Sequence, residues 1–97
     1  MDNANAPIAS QSLTVSTAAV AFGTAFAART QLVTFDIQDN DVRVRWDGTD
    51  PTGTVGHILP AGTAYTWAAS QATAAKFIRI STASADGVIF ASEFNGG

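Results

Sequence analysis

The stretch "LVTFDIQDNDVRVRW", residues 32 to 46, decides the fold class of this chain. Its apolar side chains recur at every second position: Val33, Phe35 and Ile37, then Val42, Val44 and Trp46. Alternation with period two predicts two β-strands, each with one apolar face. Between them, residues 38–41 supply Asp and Asn, which tolerate left-handed backbone and cap turns with their side chains. The stretch therefore predicts two neighbouring strands joined by a tight connection.

Weaker strand patterns lie on both sides of this pair. They are "SLTVST" (12–17), "AVAF" (19–22), "HIL" (57–59), "AYTWA" (64–68), "KFIRIS" (76–81) and "GVIFASEF" (87–94). Gly, Pro, Asn or Asp separate them at short intervals, as in all-β domains. The expected fold is all-β: a small antiparallel β-sandwich or jelly-roll-like barrel of about eight short strands.

Two of these strands require a choice of face. In "KFIRIS" we expect Ile78 and Ile80 to point inward, because the opposite face would bury Arg79. In "GVIFASEF" we expect Val88, Phe90 and Phe94 to share the apolar face of the strand. Glu93 then points away from that face. Residues 70–76, "SQATAAK", favour one helical turn with Ser70 as its N-cap.

The domain organisation is simple, since 97 residues suffice for one domain with a modest core. Residues 1–9 lack apolar alternation, and Ile8 is their one sizeable anchor. We expect a flexible N-terminal arm over residues 1–9, ordered by a neighbouring subunit, and a single β-sandwich domain over residues 10–97. The N-terminus carries neither a basic region nor an apolar region, which excludes a secretory signal within this sequence.

Charged residues are scarce, at 13% of the chain with a net charge of −3. Small polar side chains therefore replace charges on the exterior, where they either face water or lie against partner subunits. Five scattered Lys and Arg residues are too few for a nucleic-acid footprint. The absence of cysteine excludes disulfides and thiolate metal sites. No stretch is long enough to cross a bilayer, so no membrane partner is expected.

No catalytic, cofactor-binding or metal-binding residue is predicted. His57 is the one histidine of the chain and has no second ligand at metal-binding spacing. Acidic loops can hold calcium through oxygen ligands. The aspartates that raise this possibility here are Asp39, Asp41, Asp47 and Asp50. A strand pattern separates the two pairs and no bidentate Glu follows, so turn chemistry explains them better.

Aromatic side chains offer a further possibility, because exposed rings can stack on bases or sugars. Trp46 falls on the inward face of its strand, which favours a role in the core. Tyr65 and Trp67 share one face of "AYTWA" and are the better candidates for a surface pair.

The segment "VRVRWDGTDPTGTVGHILPAGTAYTW", residues 42–67, followed by "FIRIS" and "GVIF", resembles small β-sandwich virion proteins of tailed bacteriophages. The resemblance covers about residues 12–94 and depends on turn residues and alternation. It implies a non-enzymatic capsid decoration or cement protein that binds between major capsid subunits. The alternative is a receptor- or carbohydrate-contacting module of a tail, fibre or head-tail structure.

The same resemblance implies major capsid protein or other virion proteins as partners, a homo-oligomer on the particle, and a place on the virion exterior after synthesis in the host cytoplasm. The resemblance also implies that residues 43–62 are a structured connection between strands and not an active-site loop. The residues expected to contact partners are Ile8, Arg43, Arg45, Asp47, Asp50, Pro51, His57, Tyr65 and Trp67.

Overall fold

The computed structural model describes residues 6–95. In this part of the chain there are seven strands and one short helix: β1 (Ala6–Val15), β2 (Leu32–Gln38), β3 (Val42–Arg45), β4 (His57–Leu59), β5 (Ala64–Ala68), α1 (Ala69–Ala74), β6 (Lys76–Arg79) and β7 (Gly87–Asn95).

The strands form two antiparallel sheets that pack face to face. The four-stranded sheet has the order β1-β7-β2-β5, and the three-stranded sheet has the order β4-β3-β6. The core between them consists of the buried residues Val15, Val33, Phe35, Ile37, Val42, Val44, Leu59, Ala72, Ala75, Phe77, Ile89 and Ala91. The predicted small antiparallel β-sandwich is thus confirmed, with seven strands in the described residues where about eight were expected.

The two strands predicted from residues 32–46 each lie inside a sheet. β2 pairs with both β7 and β5, and β3 pairs with both β4 and β6. Between β2 and β3 the chain passes through Asp39, whose φ of 71° is left-handed. Asp is one of the few residues other than glycine that adopt this conformation readily. β2 and β3 therefore belong to different sheets, and this tight turn joins the two layers.

Residues 16–22 link β1 to the three-stranded sheet but form no regular strand. The Arg79 N–H donates to the Ser16 carbonyl at 2.8 Å. Val20 and Phe77 exchange two backbone hydrogen bonds, at 2.8 and 2.7 Å. The predicted strand "AVAF" is therefore reduced to a single bridge beside β6. Phe22, at its end, packs against the core.

The predicted face of β7 is wrong. Glu93 points inward with Ile89 and Ala91 and is 4% exposed, whereas Phe90 points outward and is 44% exposed. Burial of the Glu93 carboxylate is tolerated because Oε1 accepts hydrogen bonds from Ala27 N–H at 2.9 Å and from Thr30 Oγ1–H at 2.7 Å. The loop before β2 supplies both donors, so this polar anchor holds that loop against the sheet.

The predicted face of β6 is also wrong, since Phe77 lies in the core. Arg79 shares the face of Phe77 but stands at the end of the strand, half-buried, where Nη1 lies 3.1 Å from Oδ1 of Asp86. Ile78 is 8% exposed on the opposite face of the sheet. The argument against burying Arg79 fails because Arg79 is the last residue of β6, where its guanidinium stays partly exposed and reaches Asp86.

The short helix links the two sheets between β5 and β6 and buries Ala72 in the core. Its N-cap is Ala68, in extended conformation and without a side-chain cap hydrogen bond. Ser70, predicted to be the cap, lies inside the helix instead. The helix begins earlier than predicted because it follows β5 directly.

The N-terminal strand begins inside the predicted flexible arm. Ala6 is paired with Asn95, Pro7 with Phe94 and Ala9 with Glu93, with an irregularity between Pro7 and Ala9. Residues 6–9 are therefore part of the sheet through backbone pairing with β7. The remainder of the predicted arm, residues 1–5, lies outside the described residues.

Candidate partner-binding surfaces

A ten-residue loop between β3 and β4, residues 47–56, covers part of the outer face of the three-stranded sheet; we call it the covering loop. Arg43 of β3 holds it, since Nε donates to the Gly53 carbonyl at 3.1 Å and Nη1 to the Gly56 carbonyl at 2.8 Å. The Ser81 N–H also donates to the Gly53 carbonyl, at 2.9 Å. Pro51 is fully buried. The covering loop is thus a structured connection, held by the Arg43 guanidinium, the Ser81 N–H and the buried Pro51.

The covering loop ends at Gly56, which has a φ of 136°. A Cβ at this position would come within 3.1 Å of the Val44 carbonyl oxygen and 3.2 Å of Arg43 Cβ. Both the backbone conformation and the close approach to β3 require glycine. The turn into β4 at Gly56 therefore has a steric basis.

Two exposed ion pairs flank the covering loop. Arg45 contacts Asp47 through two hydrogen bonds, Nε to Oδ1 at 3.2 Å and Nη2 to Oδ2 at 2.5 Å. These bonds, and a further one from the Thr49 N–H, lower the pKa of the Asp47 carboxyl, while the bond to Asp47 raises the pKa of Arg45. Lys76 Nζ lies 3.0 Å from Oδ1 of Asp50.

An open groove of about 560 Å³ lies beside the covering loop, lined by Arg45, Trp46, Asp47, Val55, Gly56 and His57. The exposed His57 ring packs at 5.2 Å from the Trp46 ring, with a tilt of 38°. The groove thus combines a charged pair, two aromatic rings and an apolar side chain, Val55, that is 49% exposed. A small polar ligand or a partner's side chain would meet both donors and acceptors here.

Tyr65 and Trp67 do not stand on an outer surface. Both are half-buried and pack against the core, with ring centroids 5.5 and 4.6 Å from that of Phe35. Trp67 also packs edge to face on Trp46 at 5.2 Å. Trp46 itself packs against the core, and its buried Nε1 has no hydrogen-bond partner within residues 6–95. The expected surface pair is therefore part of an aromatic core that reaches the groove through Trp46.

The outer face of the four-stranded sheet has a different chemistry, and we call it the neutral face. The pairing registers place on it Ser10, Ser12, Thr14, Leu32, Thr34, Asp36, Gln38, Ala64, Thr66, Ala68, Val88, Phe90, Ser92 and Phe94. Asp36 is the one charged side chain in this set. By contrast, Arg43, Arg45 and Lys76 share the outer face of the three-stranded sheet. The molecule therefore presents one charged and one nearly uncharged sheet face.

The expected partner-contacting residues are thus distributed over separate places. Arg45, Asp47 and His57 meet in the groove, while Arg43 and Pro51 lie under or within the covering loop. The residues that lie elsewhere are Ile8 near the start of β1, Asp50 beside Lys76, and Tyr65 and Trp67 on the inner face. Sequence reasoning missed the neutral face, because it assigned Phe90 and Phe94 to the wrong side of β7.

Within residues 6–95, no group of His, Asp and Glu side chains could hold a metal ion. No helix in the same range is long and apolar enough to cross a membrane. Comparison of the chain with protein-family models, with curated proteins and with solved structures gave no match.

Proposed function

We propose that this chain is a non-enzymatic structural protein of a phage virion, a decoration or cement protein that binds between major capsid subunits. The observation that carries the proposal is the neutral face, on which Asp36 is the single charge and Phe90 is 44% exposed. Depletion of charge together with exposed aromatic area is typical of the core of protein interfaces. The phage context comes from the resemblance of residues 42–67 to small virion proteins.

The neutral face suits repeated contacts better than single, tight ones. Its hydroxyl side chains can exchange hydrogen bonds with water or with a partner, as Thr34 and Thr66 do with each other at 3.0 Å. Phe90, Phe94 and Leu32 supply apolar area on two neighbouring strands. A surface of this composition stays hydrated before assembly and becomes buried at many equivalent sites on a particle.

The location is tested by imaging the virion of the phage that encodes the chain. Density for the domain at every capsomer supports decoration of the capsid. Density at the unique vertex alone, or on the tail, contradicts it.

The surface is tested with capsids that lack the protein and with two lysine variants of it. Phe90→Lys places a charge on the neutral face and should strongly weaken binding. Val55→Lys is the matched control, because Val55 is equally exposed but lies on the covering loop. Loss of binding in Val55→Lys with full binding in Phe90→Lys would refute the neutral face as the contact surface.

A second candidate function is a receptor- or carbohydrate-contacting module, favoured by the groove at Trp46 and His57. Its ring pair and the Arg45–Asp47 pair offer stacking and hydrogen bonding side by side. A bound glycan should alter tryptophan fluorescence, because Trp46 lines the groove and contacts Trp67. A glycan array without hits would remove this candidate.

A further inference from the structure

The strand β1 forms an open edge of the sandwich. In residues 6–95 it pairs with β7 on one side and ends the order of the four-stranded sheet. It has ten residues, whereas the other terminal strand of this sheet, β5, has five and runs directly into α1. β1 is thus the longest strand edge that the described chain presents.

The edge of β1 carries little protection against pairing with another strand. Natural edges are usually guarded by charges, prolines, bulges or short length. Here Pro7 and the irregularity between Pro7 and Ala9 guard the N-terminal end, and residues 6–28 contain no charged side chain. The segment from Ala9 to Thr14 has neither a proline nor a charge.

The side chains of this segment point in defined directions. Gln11 is fixed by two hydrogen bonds to the backbone of Thr24, at 2.9 and 3.1 Å. Ser10, Ser12 and Thr14 are exposed and lie on the neutral face. The open edge is therefore bordered by a row of small hydroxyl side chains.

We infer that β1 pairs antiparallel with β1 of a second copy of this chain, which joins two four-stranded sheets into one continuous sheet. An antiparallel strand edge is its own complement under a two-fold axis, so a second copy supplies the matching row of backbone donors and acceptors. A two-fold axis perpendicular to the sheet keeps both neutral faces on the same side. Asp36 lies two strands away from the edge, so no like charges meet across it.

The composition of the segment also selects a register. Centring the axis on Ser12 places Ser12 opposite Ser12 and Ser10 opposite Thr14, so that hydroxyl side chains face hydroxyl side chains. The paired segment then ends before the irregularity at Pro7 and Ala9. This pairing is independent of the virion proposal, because it needs no capsid.

The register is tested by single cysteines, which the cysteine-free chain makes unambiguous. Under mild oxidation Ser12→Cys should form a disulfide-linked dimer rapidly. Ser10→Cys and Thr14→Cys should stay monomeric alone and should cross-link when the two variants are mixed. Thr66→Cys, on the opposite edge strand of the same face, is the control. Equal cross-linking of Thr66→Cys and Ser12→Cys, or none at Ser12→Cys, would overturn the pairing.

Self-association is tested by sedimentation velocity of the full chain from micromolar to millimolar concentration. The wild type should show a monomer–dimer equilibrium. Ser12→Lys should raise the dimer Kd by up to about fivefold, because like charges then stand directly opposite each other. Thr66→Lys should leave the Kd unchanged. A wild type that is monomeric throughout, or a Thr66→Lys variant that dissociates as Ser12→Lys does, would overturn the inference.

Discussion

Arg43 connects the sheet and the covering loop through two backbone carbonyls that no other described side chain contacts. Its planar guanidinium presents Nε and Nη1 in a fixed geometry, which a lysine ammonium on a flexible stem does not reproduce. Pro51 and Gly56 then determine the course of the loop above it. The structure of a ten-residue connection thus depends largely on one side chain of β3.

Arg43→Lys should therefore lower the free energy of unfolding by about 1–3 kcal/mol, the usual effect of losing hydrogen bonds to a charged group. Urea denaturation measures the change. Arg45→Lys is the control, since Arg45 lies on the same strand face but bonds only to the exposed Asp47. Equal destabilisation by the two substitutions would contradict the role assigned to Arg43.

The Arg45–Asp47 pair makes stability depend on pH in a defined direction. The pKa of Asp47 is lowered in the folded state, so the pair's contribution is present above the ordinary aspartate pKa of about 3.9. It is lost as the pH falls through the lower folded value. The difference in Tm between wild type and Asp47→Asn should thus be constant at neutral pH and shrink in acid. A difference that grows in acid would contradict this assignment.

At the scale of elements, β1 shows how a segment with no apolar pattern is recruited into a sheet. Ala6, Pro7 and Ala9 are paired with residues of β7, whose own apolar side chains already hold it in place. Backbone pairing with a fixed neighbour orders residues that could not form a strand by themselves. Side-chain periodicity carries no information about such a segment.

Deleting residues 1–9 should consequently destabilise the protein by about 1–3 kcal/mol, because the pairing of residues 6–9 with the end of β7 is lost. This differs from the expectation for a flexible arm, whose removal leaves Tm unchanged. Deletion of residues 1–5 is the control, since it retains β1 in full. Thermal unfolding of both variants measures the effect. Identical Tm values for wild type and the longer deletion would contradict it.

The sequence was sufficient to predict which side chains are buried in strands that bury the same face along their whole length. Alternation placed Val33, Phe35 and Val44 correctly because the sandwich buries one face of β2 and β3 along the strand. Alternation failed for Glu93, whose hydrogen-bond donors are Thr30 and Ala27. These residues precede Glu93 by 63 and 66 positions in the sequence. The sequence around Glu93 contains no pattern from which these distant donors could be predicted.

The candidate surfaces were less accessible to prediction than the fold. No groove was predicted from the sequence, although Arg45, Asp47 and His57, which line it, were among the residues expected to contact partners. The neutral face was not predicted either, because it depends on which face of β7 points outward, and that face was assigned wrongly from the sequence. A pattern of small polar residues predicts an uncharged exterior but does not say which sheet carries it.

At the scale of the whole molecule, the two sheets carry different exteriors on one core. The three-stranded sheet bears basic side chains and the covering loop, whereas the neutral face presents hydroxyls and aromatic area. Contacts made through one face therefore leave the other available. Because Ser12 of the β1 edge belongs to the neutral face, a charge placed there tests the proposed self-association, whereas substitutions on the covering loop leave that face unchanged.

The pairing of Ala6 with Asn95 at one end of the sheet has a mechanical consequence. Tension applied through these two positions separates β1 from β7 one hydrogen bond at a time, so rupture should need little force. Tension between Ala6 and Asp86 loads the whole β1–β7 ladder in shear, because Gly87 lies opposite Val15. Single-molecule pulling through cysteines at residues 6 and 95, or 6 and 86, should give a clearly higher rupture force for the second pair. A strand that peels easily along one axis yet resists load along another makes the strength of this protein depend on the direction from which it is pulled.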